Sequence, residues 1–359
     1  MTKIHAKKKN WARELAKGLI SLKALHKEDF LKAKDLSTLE NVKDNFDIRV
    51  PEKYVSEKKN YTSRIFKQFI PSSKESLFLP EELEDPISDE KYSPMEGLTH
   101  RYPDRVLLKP TYKCAVYCRF CFRRYKVSKS EFSFKENTFE NAFQYIHNHK
   151  DIIEVILTGG DPLVLTDKKL FFILEKLQEI EHIKFIRIHT RIPSVLPSRI
   201  NESFIEKVTS LKKTIWIVLH INSHEEFDKK TILAIKKLKA ARIGLLMQSV
   251  LLKGVNDSSS LLKSLFYKAV ENGIKPYYLH YLDPAQGTSH FRVPLTQAIS
   301  LMETLRGNIS GLCMPELIVD IPGGAGKIPI EPNWYQRDSD GTWHFRSPRD
   351  GKIYSFKYS

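Results

Sequence analysis

Cysteine is scarce in this chain, whose 359 residues include only four. So few cysteines exclude a fold that is held together by disulfides. The chain also lacks any apolar run approaching the ~18 residues that a membrane-spanning helix needs, which excludes such a span. Arg13, Glu14 and Lys17 stand where the apolar part of an export signal would lie. We therefore expect a cytoplasmic protein.

Charge, by contrast, is abundant and mostly positive. Lys and Arg number 58 against 43 Asp and Glu, which gives a formal net charge of +15. Such a balance is typical of proteins that bind nucleic acid, phosphorylated cofactors or a membrane surface. A solvated, lysine-rich surface explains it equally well, and we favour that explanation over a nucleic acid or membrane partner. With 41% hydrophobic and 28% charged residues, the composition excludes a wholly disordered chain.

The first part of the chain, residues 1–95, mixes charged and apolar residues at helical spacing. We predict a helical extension that ends in an acidic surface linker, Pro80–Pro94, which contains three prolines. One face of its first helix would carry Trp11, Leu15, Leu19, Leu22 and Leu25.

Residues 96–311 alternate short apolar runs with amphipathic helical stretches, which predicts repeated βαβ units and a parallel sheet. Six such units favour a partial (β/α)6 barrel over a closed eight-stranded one, with the chemistry at the carboxyl ends of the strands. Residues 312–359 add a strand-like run, a glycine-rich loop with a lysine, and a tail that we expect to form a short cap. The six predicted barrel strands cover Val106–Leu108, Ile153–Leu157, Lys184–Ile188, Thr214–Leu219, Ile243–Met247 and Lys275–Leu279.

Three of the four cysteines, Cys114, Cys118 and Cys121, lie on one loop directly after the first predicted barrel strand. Thiolates at this C-x3-C-x2-C spacing can hold three irons of a 4Fe-4S cluster and leave the fourth iron open. A structural zinc site would need a fourth ligand nearby, and Cys313 is far downstream. The loop resembles that of the radical S-adenosylmethionine superfamily, including the aromatic Phe120. This resemblance implies that the open iron binds S-adenosylmethionine and that electron transfer cleaves it to a 5′-deoxyadenosyl radical.

A second element of that superfamily is the run Gly159-Gly160-Asp161 at the end of the second predicted strand. Glycines there let the backbone approach a ligand closely, although such a run is by itself more typical of a tight turn. Further cofactor contacts are expected at later strand ends, from His189, Arg191 and Gln248. For each of them, a packed and hydrogen-bonded polar side chain without a cofactor contact is an equally good explanation.

Three features narrow the family. The loop from Asp320 to Lys327 is rich in glycine and ends in a lysine, which suits a Schiff base with pyridoxal phosphate. The loop lacks the residue spacing of a phosphate-binding P-loop. Two guanidiniums, in the run from His100 to Arg105, precede the first barrel strand, and Asp283 follows the sixth. Together these features resemble the lysine 2,3-aminomutase family over roughly residues 11–332.

The resemblance implies a role for each of these positions. Lys327 would hold pyridoxal phosphate, near Arg101, Tyr102 and Arg105. Arg123 would pair with the α-carboxylate of the substrate. Two aspartates, Asp283 and Asp320, would bind the ε-ammonium of L-lysine. A buried ammonium needs such carboxylates, which would also repel glutamate. The implied reaction moves the 2-amino group of lysine to C3, with electrons from a donor such as flavodoxin or ferredoxin.

The chain also departs from the long members of that family. It has no cysteine after Pro332, so we expect a short form without the C-terminal zinc segment, and a homo-oligomer remains an open expectation. His280 stands where free-lysine enzymes often have tyrosine and resembles the branch that makes β-lysine for elongation factor P. Arginine or glutamate as substrate, a radical tRNA-modifying enzyme without pyridoxal phosphate, and a non-catalytic iron–sulfur protein are the alternatives. Cys313 is expected to be a buried small side chain.

Overall fold

A computed structural model describes residues 11–127 and 136–357 of the chain. Two sheets, twelve α-helices and eight short 3-10 helices make up this part. The strands are β1 Leu98–Tyr102, β2 Arg105–Thr111, β3 Glu154–Gly159, β4 Phe185–Thr190, β5 Thr214–His220, β6 Gly244–Val250, β7 Lys275–His280, β8 Glu316–Ile321, β9 Gly326–Pro329, β10 Tyr335–Arg337, β11 Thr342–Arg346 and β12 Ile353–Lys357. The helices are α1 Trp11–Ala16, α2 Leu22–Lys27, α3 Leu36–Asn45, α4 Glu52–Ser56, α5 Ser63–Lys67, α6 Glu136–Asn148, α7 Asp167–Glu179, α8 Ile192–Val195, α9 Glu202–Thr209, α10 Lys229–Ala240, α11 Ser259–Glu271 and α12 Leu295–Leu305.

The larger sheet has nine strands in the order of the sequence, β1 to β9. Strands β2 to β8 are parallel, and β1 and β9 pair antiparallel at the two edges. Every residue of β3 is buried, as expected of a parallel strand with packed layers on both faces. The predicted α/β partial barrel is confirmed. The sheet has more strands than the six that we predicted. Strands β8 and β9, which lie in the region that we assigned to the cap, also belong to it.

The N-terminal helical extension is confirmed. The prediction of one amphipathic helix from Trp11 to Leu25 was wrong, because the structure has two short helices there, α1 and α2. The chain breaks after α1 because Leu19 exchanges both backbone hydrogen bonds with Val50, at 2.9 Å each, and a side chain at Gly18 would lie 2.9 Å from the carbonyl oxygen of Val50. Helices α2 to α5 then share one hydrophobic core with the barrel. The buried ammonium of Lys53 joins the two parts through Asp228, at 2.6 Å.

The prediction of a surface linker at Pro80–Pro94 was also wrong. Three of its residues, Glu82, Ile87 and Asp89, are only 5%, 5% and 2% exposed. The carboxylates of Glu82 and Asp89 contact the barrel, so the acidic composition of this segment serves buried contacts. The tail forms the expected small antiparallel sheet, β10 to β12, and Cys313 is buried. No helix in the described ranges is long and apolar enough to span a bilayer.

Candidate active site

The carboxyl ends of the parallel strands open into a cavity with two adjoining compartments. The first contains the three cysteines of the loop after β2, and the second contains Lys327 on β9. Both compartments share Arg123, Thr158, His189, Gln248 and His280 among their walls. The structure therefore brings together groups that are more than 200 residues apart in sequence.

The cysteine compartment exposes Cys114, Cys118 and Cys121 to one enclosed space. Burial raises the pKa of all three thiols, to about 11 for Cys121, and the nearby sulfurs add to the effect for Cys114 and Cys121. Three thiolates can share this space only if a cation compensates them. No three His, Cys, Asp or Glu side chains in the described ranges already form a single-ion site. The donor set fits a cluster, whose irons each take one thiolate, better than one ion.

A buried ion-pair network connects the cysteine loop to Glu75. The carboxylate of Glu75 accepts hydrogen bonds from Arg119, at 2.6 to 3.0 Å, and from Arg124, at 2.5 Å. Burial would raise the pKa of Glu75, but the two guanidiniums outweigh it and lower that pKa. The two arginines flank Cys121 in sequence, so the network fixes the loop's path. Glu75 was not among the residues predicted from the sequence.

The glycines at the end of β3 serve the cysteine loop directly. Gly159 has a φ of +108°, and a side chain at Gly160 would overlap the carbonyl oxygen of Lys113. The Gly160 amide donates to the carbonyl of Thr111 at 2.7 Å, so this turn lies against the start of the loop. Both glycines line the cysteine compartment, where their contact with a cofactor stays a prediction.

Asp161 and Arg191 also line this compartment, and both already have protein partners. The carboxylate of Asp161 accepts from the Thr190 hydroxyl, at 2.7 Å, and from the Arg191 amide, at 2.7 Å, which joins the ends of β3 and β4. The Arg191 guanidinium donates to the sulfur of Cys118 at 2.8 Å and pairs with Glu226 at 3.1 Å. It therefore stabilises negative charge on that sulfur. Direct cofactor contact by either residue stays a prediction.

Three histidines and a glutamine line the cavity from the ends of β4 to β7. The Nε2 atoms of His189, His220 and His280 are buried and have no hydrogen-bond partner within the described part of the chain. Burial lowers the pKa of all three, to about 3 for His220, so their rings are neutral. They offer uncharged polar atoms to a ligand, beside Gln248. His220 was missed, although it directly follows the fourth predicted strand.

Arg123 lies where the compartments meet and is paired with Asp89. Its Nε donates to the Asp89 carboxylate at 2.6 Å, and its Nη1 is 3.5 Å from the hydroxyl oxygen of Thr158. Asp89 also lies 3.7 Å from both Arg101 and the buried Lys109. Nothing in the sequence indicated Asp89, because it precedes Arg123 by 34 residues within the supposed linker.

At the lysine compartment, β8 and β9 form a hairpin that places Asp320 opposite Lys327. The tight turn uses positive φ at Gly323, Gly324 and Gly326. The ammonium of Lys327 pairs with the Asp320 carboxylate, which also accepts from Arg101 at 3.1 Å.

The other edge strand, β1, meets this hairpin. The Tyr102 hydroxyl accepts from the Lys327 amide at 3.0 Å, and the Arg105 guanidinium lies 3.9 Å from the Tyr102 ring centre. Arg105 pairs with Asp104 at 2.6 Å. The compartment thus contains one primary amine, Lys327, and the guanidiniums of Arg101, Arg105 and Arg187 among its walls. This set of groups fits a phosphorylated aldehyde such as pyridoxal phosphate.

Asp283 follows β7 and lines the cysteine compartment. Burial raises its pKa to about 7; the charge of Lys327 opposes this shift and that of Asp320 adds to it. No side-chain hydrogen-bond partner of Asp283 occurs among the described residues. It is thus a buried carboxyl group that lines the cavity, and its contact with a substrate ammonium stays a prediction.

An open parallel barrel with three cysteines of this spacing at its mouth defines a radical S-adenosylmethionine protein. The model of the radical SAM superfamily matches residues 108–263, and a lysine-2,3-aminomutase model matches residues 302–346. Membership in the superfamily implies a 4Fe-4S cluster and S-adenosylmethionine.

Curated relatives give a narrower assignment. The chain is 43% identical to an L-lysine 2,3-aminomutase of Methanococcus maripaludis over 75% of this chain and 62% of that protein. It is 40% identical to one of Buchnera aphidicola over 80% and 85%, and 36% identical to one of Haemophilus influenzae over 89% and 94%. The chain thus spans less than two thirds of the length of the M. maripaludis relative. It belongs to the lysine 2,3-aminomutase family, as its motifs predicted.

Proposed function

We propose that this protein is a radical aminomutase that moves the 2-amino group of L-lysine to C3 and so produces β-lysine. The observation that carries the proposal is the single cavity with three thiols at one end and Lys327 at the other. Few reactions need both an iron–sulfur centre and an amine that can bind a carbonyl cofactor within one enclosed space.

In the cysteine compartment, Cys114, Cys118 and Cys121 would hold three irons of a 4Fe-4S cluster. With S-adenosylmethionine and one electron from a donor such as flavodoxin or ferredoxin, this centre supplies a carbon radical that abstracts hydrogen. The protein contributes the buried walls that exclude water and the Arg191 hydrogen bond that stabilises one thiolate.

In the lysine compartment, Lys327 would hold pyridoxal phosphate, which supplies a conjugated system that can delocalise a radical. Arg101, Arg105 and Tyr102 line the same compartment as that lysine, and the two guanidiniums suit an anionic group. With the cofactor held by Lys327, the Asp320 carboxylate would keep its hydrogen bond from Arg101, at 3.1 Å. Its other oxygen, which pairs with the Lys327 ammonium in this structure, would be available to another cation.

The substrate would lie between these groups. Arg123 offers a guanidinium to the α-carboxylate, and such charge-assisted pairs are among the strongest hydrogen bonds in proteins. Asp283, with no side-chain partner within the described ranges, and the released Asp320 supply two carboxylates for the ε-ammonium. An unpaired buried ammonium would cost several kcal/mol, so these aspartates favour lysine over amino acids with apolar or acidic side chains.

The test is product analysis on the anaerobically reconstituted protein with S-adenosylmethionine, pyridoxal phosphate, a reductant and one amino acid at a time. Chromatography should detect β-lysine from L-lysine and none from a Lys327→Ala control. A β-amino acid formed from arginine or glutamate and not from lysine would refute the substrate assignment. Protein without pyridoxal absorbance that still cleaves S-adenosylmethionine would favour a different radical enzyme.

A further inference from the structure

Residues 82–92, here named the strap, contact each of the elements that carry the proposed substrate-binding groups. The first contact is with the loop after β7, which carries Asp283. The Leu83 amide donates to the Pro284 carbonyl at 2.7 Å. The carboxylate of Glu82 accepts from the amides of Gly287, at 3.0 Å, and Ser289, at 2.8 Å.

The second contact is with the β8–β9 hairpin, which carries Asp320. The Gly323 amide donates to the carbonyl of Pro86 at 3.1 Å. Gly324 packs so closely on the strap that a side chain there would lie 2.7 Å from the Ile87 carbonyl oxygen. The strap therefore contacts the loop that carries Asp283 and the hairpin that carries Asp320.

The third contact is the Asp89–Arg123 ion pair. The Asp89 side chain is 3% exposed and meets three cations: Arg123 at 2.6 Å, and Lys109 and Arg101 at 3.7 Å. Burial opposes its ionisation, but Arg123 and Lys109 outweigh burial and hold its pKa at about 2. Asp89 is thus a permanent anion at neutral pH.

The geometry of the pair leaves part of the guanidinium free. A guanidinium presents five N–H donors in a rigid plane. Asp89 takes the donor on Nε, and Nη1 is near Thr158, a residue that lines both compartments. The Nη end of Arg123 is therefore directed to the cavity, and its long side chain cannot rotate without breaking a buried ion pair.

We propose that Asp89 is a positioning residue, which orients Arg123 toward the carboxylate of the amino acid substrate. Because the strap is also fixed to the elements of Asp283 and Asp320, it sets the separation between the carboxylate-binding and ammonium-binding ends. This inference rests on the proposed function and deepens it.

The test compares Asp89→Asn with a matched control, Glu90→Gln. Glu90 is the next residue of the strap, and its carboxylate makes a surface ion pair with Lys126. Steady-state kinetics should show a KM for lysine raised about tenfold in D89N, the lower end of what a hydrogen bond to a charged group contributes, with kcat little changed. E90Q should match the wild type.

A second measurement separates positioning from structural damage. The diamine 1,5-diaminopentane has the ammonium of lysine but no carboxylate, so it does not need Arg123. Its inhibition constant should be the same in D89N and wild type. Equal weakening of diamine and lysine would show general damage to the site and overturn the inference.

Three other outcomes are informative. An unchanged KM in D89N, with an active wild type, overturns the role of Asp89 alone. A wild type that forms no β-amino acid sinks the proposed function and this inference with it. If D89N fails to fold, Asp89→Asn with Lys109→Gln removes one charge of each sign from the buried cluster, and the same two constants decide the question.

Discussion

Asp283 should make lysine binding depend on pH near neutrality. Its pKa is raised to about 7 by burial, so in the absence of substrate the carboxyl group is protonated below that pH and ionised above it. Only the ionised form can pair with an ammonium. The ε-ammonium of lysine stays charged throughout this range, because its ordinary pKa is about 10.4. Apparent affinity must therefore fall as the pH drops through 7.

The size of the fall in lysine affinity follows from the fraction of Asp283 that is ionised. With a pKa of about 7, roughly nine tenths of Asp283 is ionised at pH 8 and roughly one tenth at pH 6, so affinity falls about tenfold. The neighbouring His189, His220 and His280 do not titrate in this window, since burial lowers their pKa values.

The assay is kcat/KM for lysine between pH 6 and pH 8.5, because this ratio reports ionisations of the free enzyme and free substrate. Asp283→Asn should be less active than wild type at pH 8. The ratio of wild-type to D283N kcat/KM, in which the ionisation of the lysine α-ammonium cancels, should fall about tenfold from pH 8 to pH 6. A wild-type profile that is flat across this range would refute the reasoning. So would a D283N profile with the same slope as wild type, because another group would then cause it.

The remaining predictions concern the three cysteines, Lys327 and the residues that support the cysteine loop. Serine at Cys114, Cys118 or Cys121 should abolish the cluster's visible absorbance after reconstitution, whereas Cys313→Ser, a buried position outside the cavity, should retain it. Lys327→Ala should not form the pyridoxal–lysine absorbance band while keeping that of the cluster. Glu75→Gln should destabilise the protein by about 3–5 kcal/mol in denaturant unfolding, since it leaves two buried arginines without a countercharge; a change within experimental error would show that water compensates them. Gly160→Ala should displace Lys113 and lower cluster content, while Gly311→Ala, where nothing lies within 4 Å of the added carbon, should not.

Much of the barrel could be predicted from sequence because its signals are local. A buried parallel strand is a short apolar run whatever lies around it, as in Glu154–Gly159, where all residues are buried. The cysteine loop is equally local, since its three cysteines lie within eight consecutive positions. The strand Glu316–Ile321 was visible in the same way, but its place in the barrel sheet was not, because pairing with Lys275–His280 depends on distant residues.

The errors have a common physical cause. The acidic Pro80–Pro94 segment has the composition of a surface linker, yet Asp89 is buried because Arg123, Arg101 and Lys109 converge on it in three dimensions. Composition predicts solvation of a charge only when no countercharge is available. The break after α1 likewise depends on Val50, which is remote in sequence from Leu19.

The sequence by itself determined the partial barrel, the cysteine loop and the family, because each depends on residue types at short, fixed spacings. Tertiary structure alone decided that Lys327 pairs with Asp320, that Asp283 has a pKa of about 7, and that Asp89 holds Arg123. These are properties of charges brought together from different strands and loops. Their energies depend on distance and burial, which spacing along the chain does not specify.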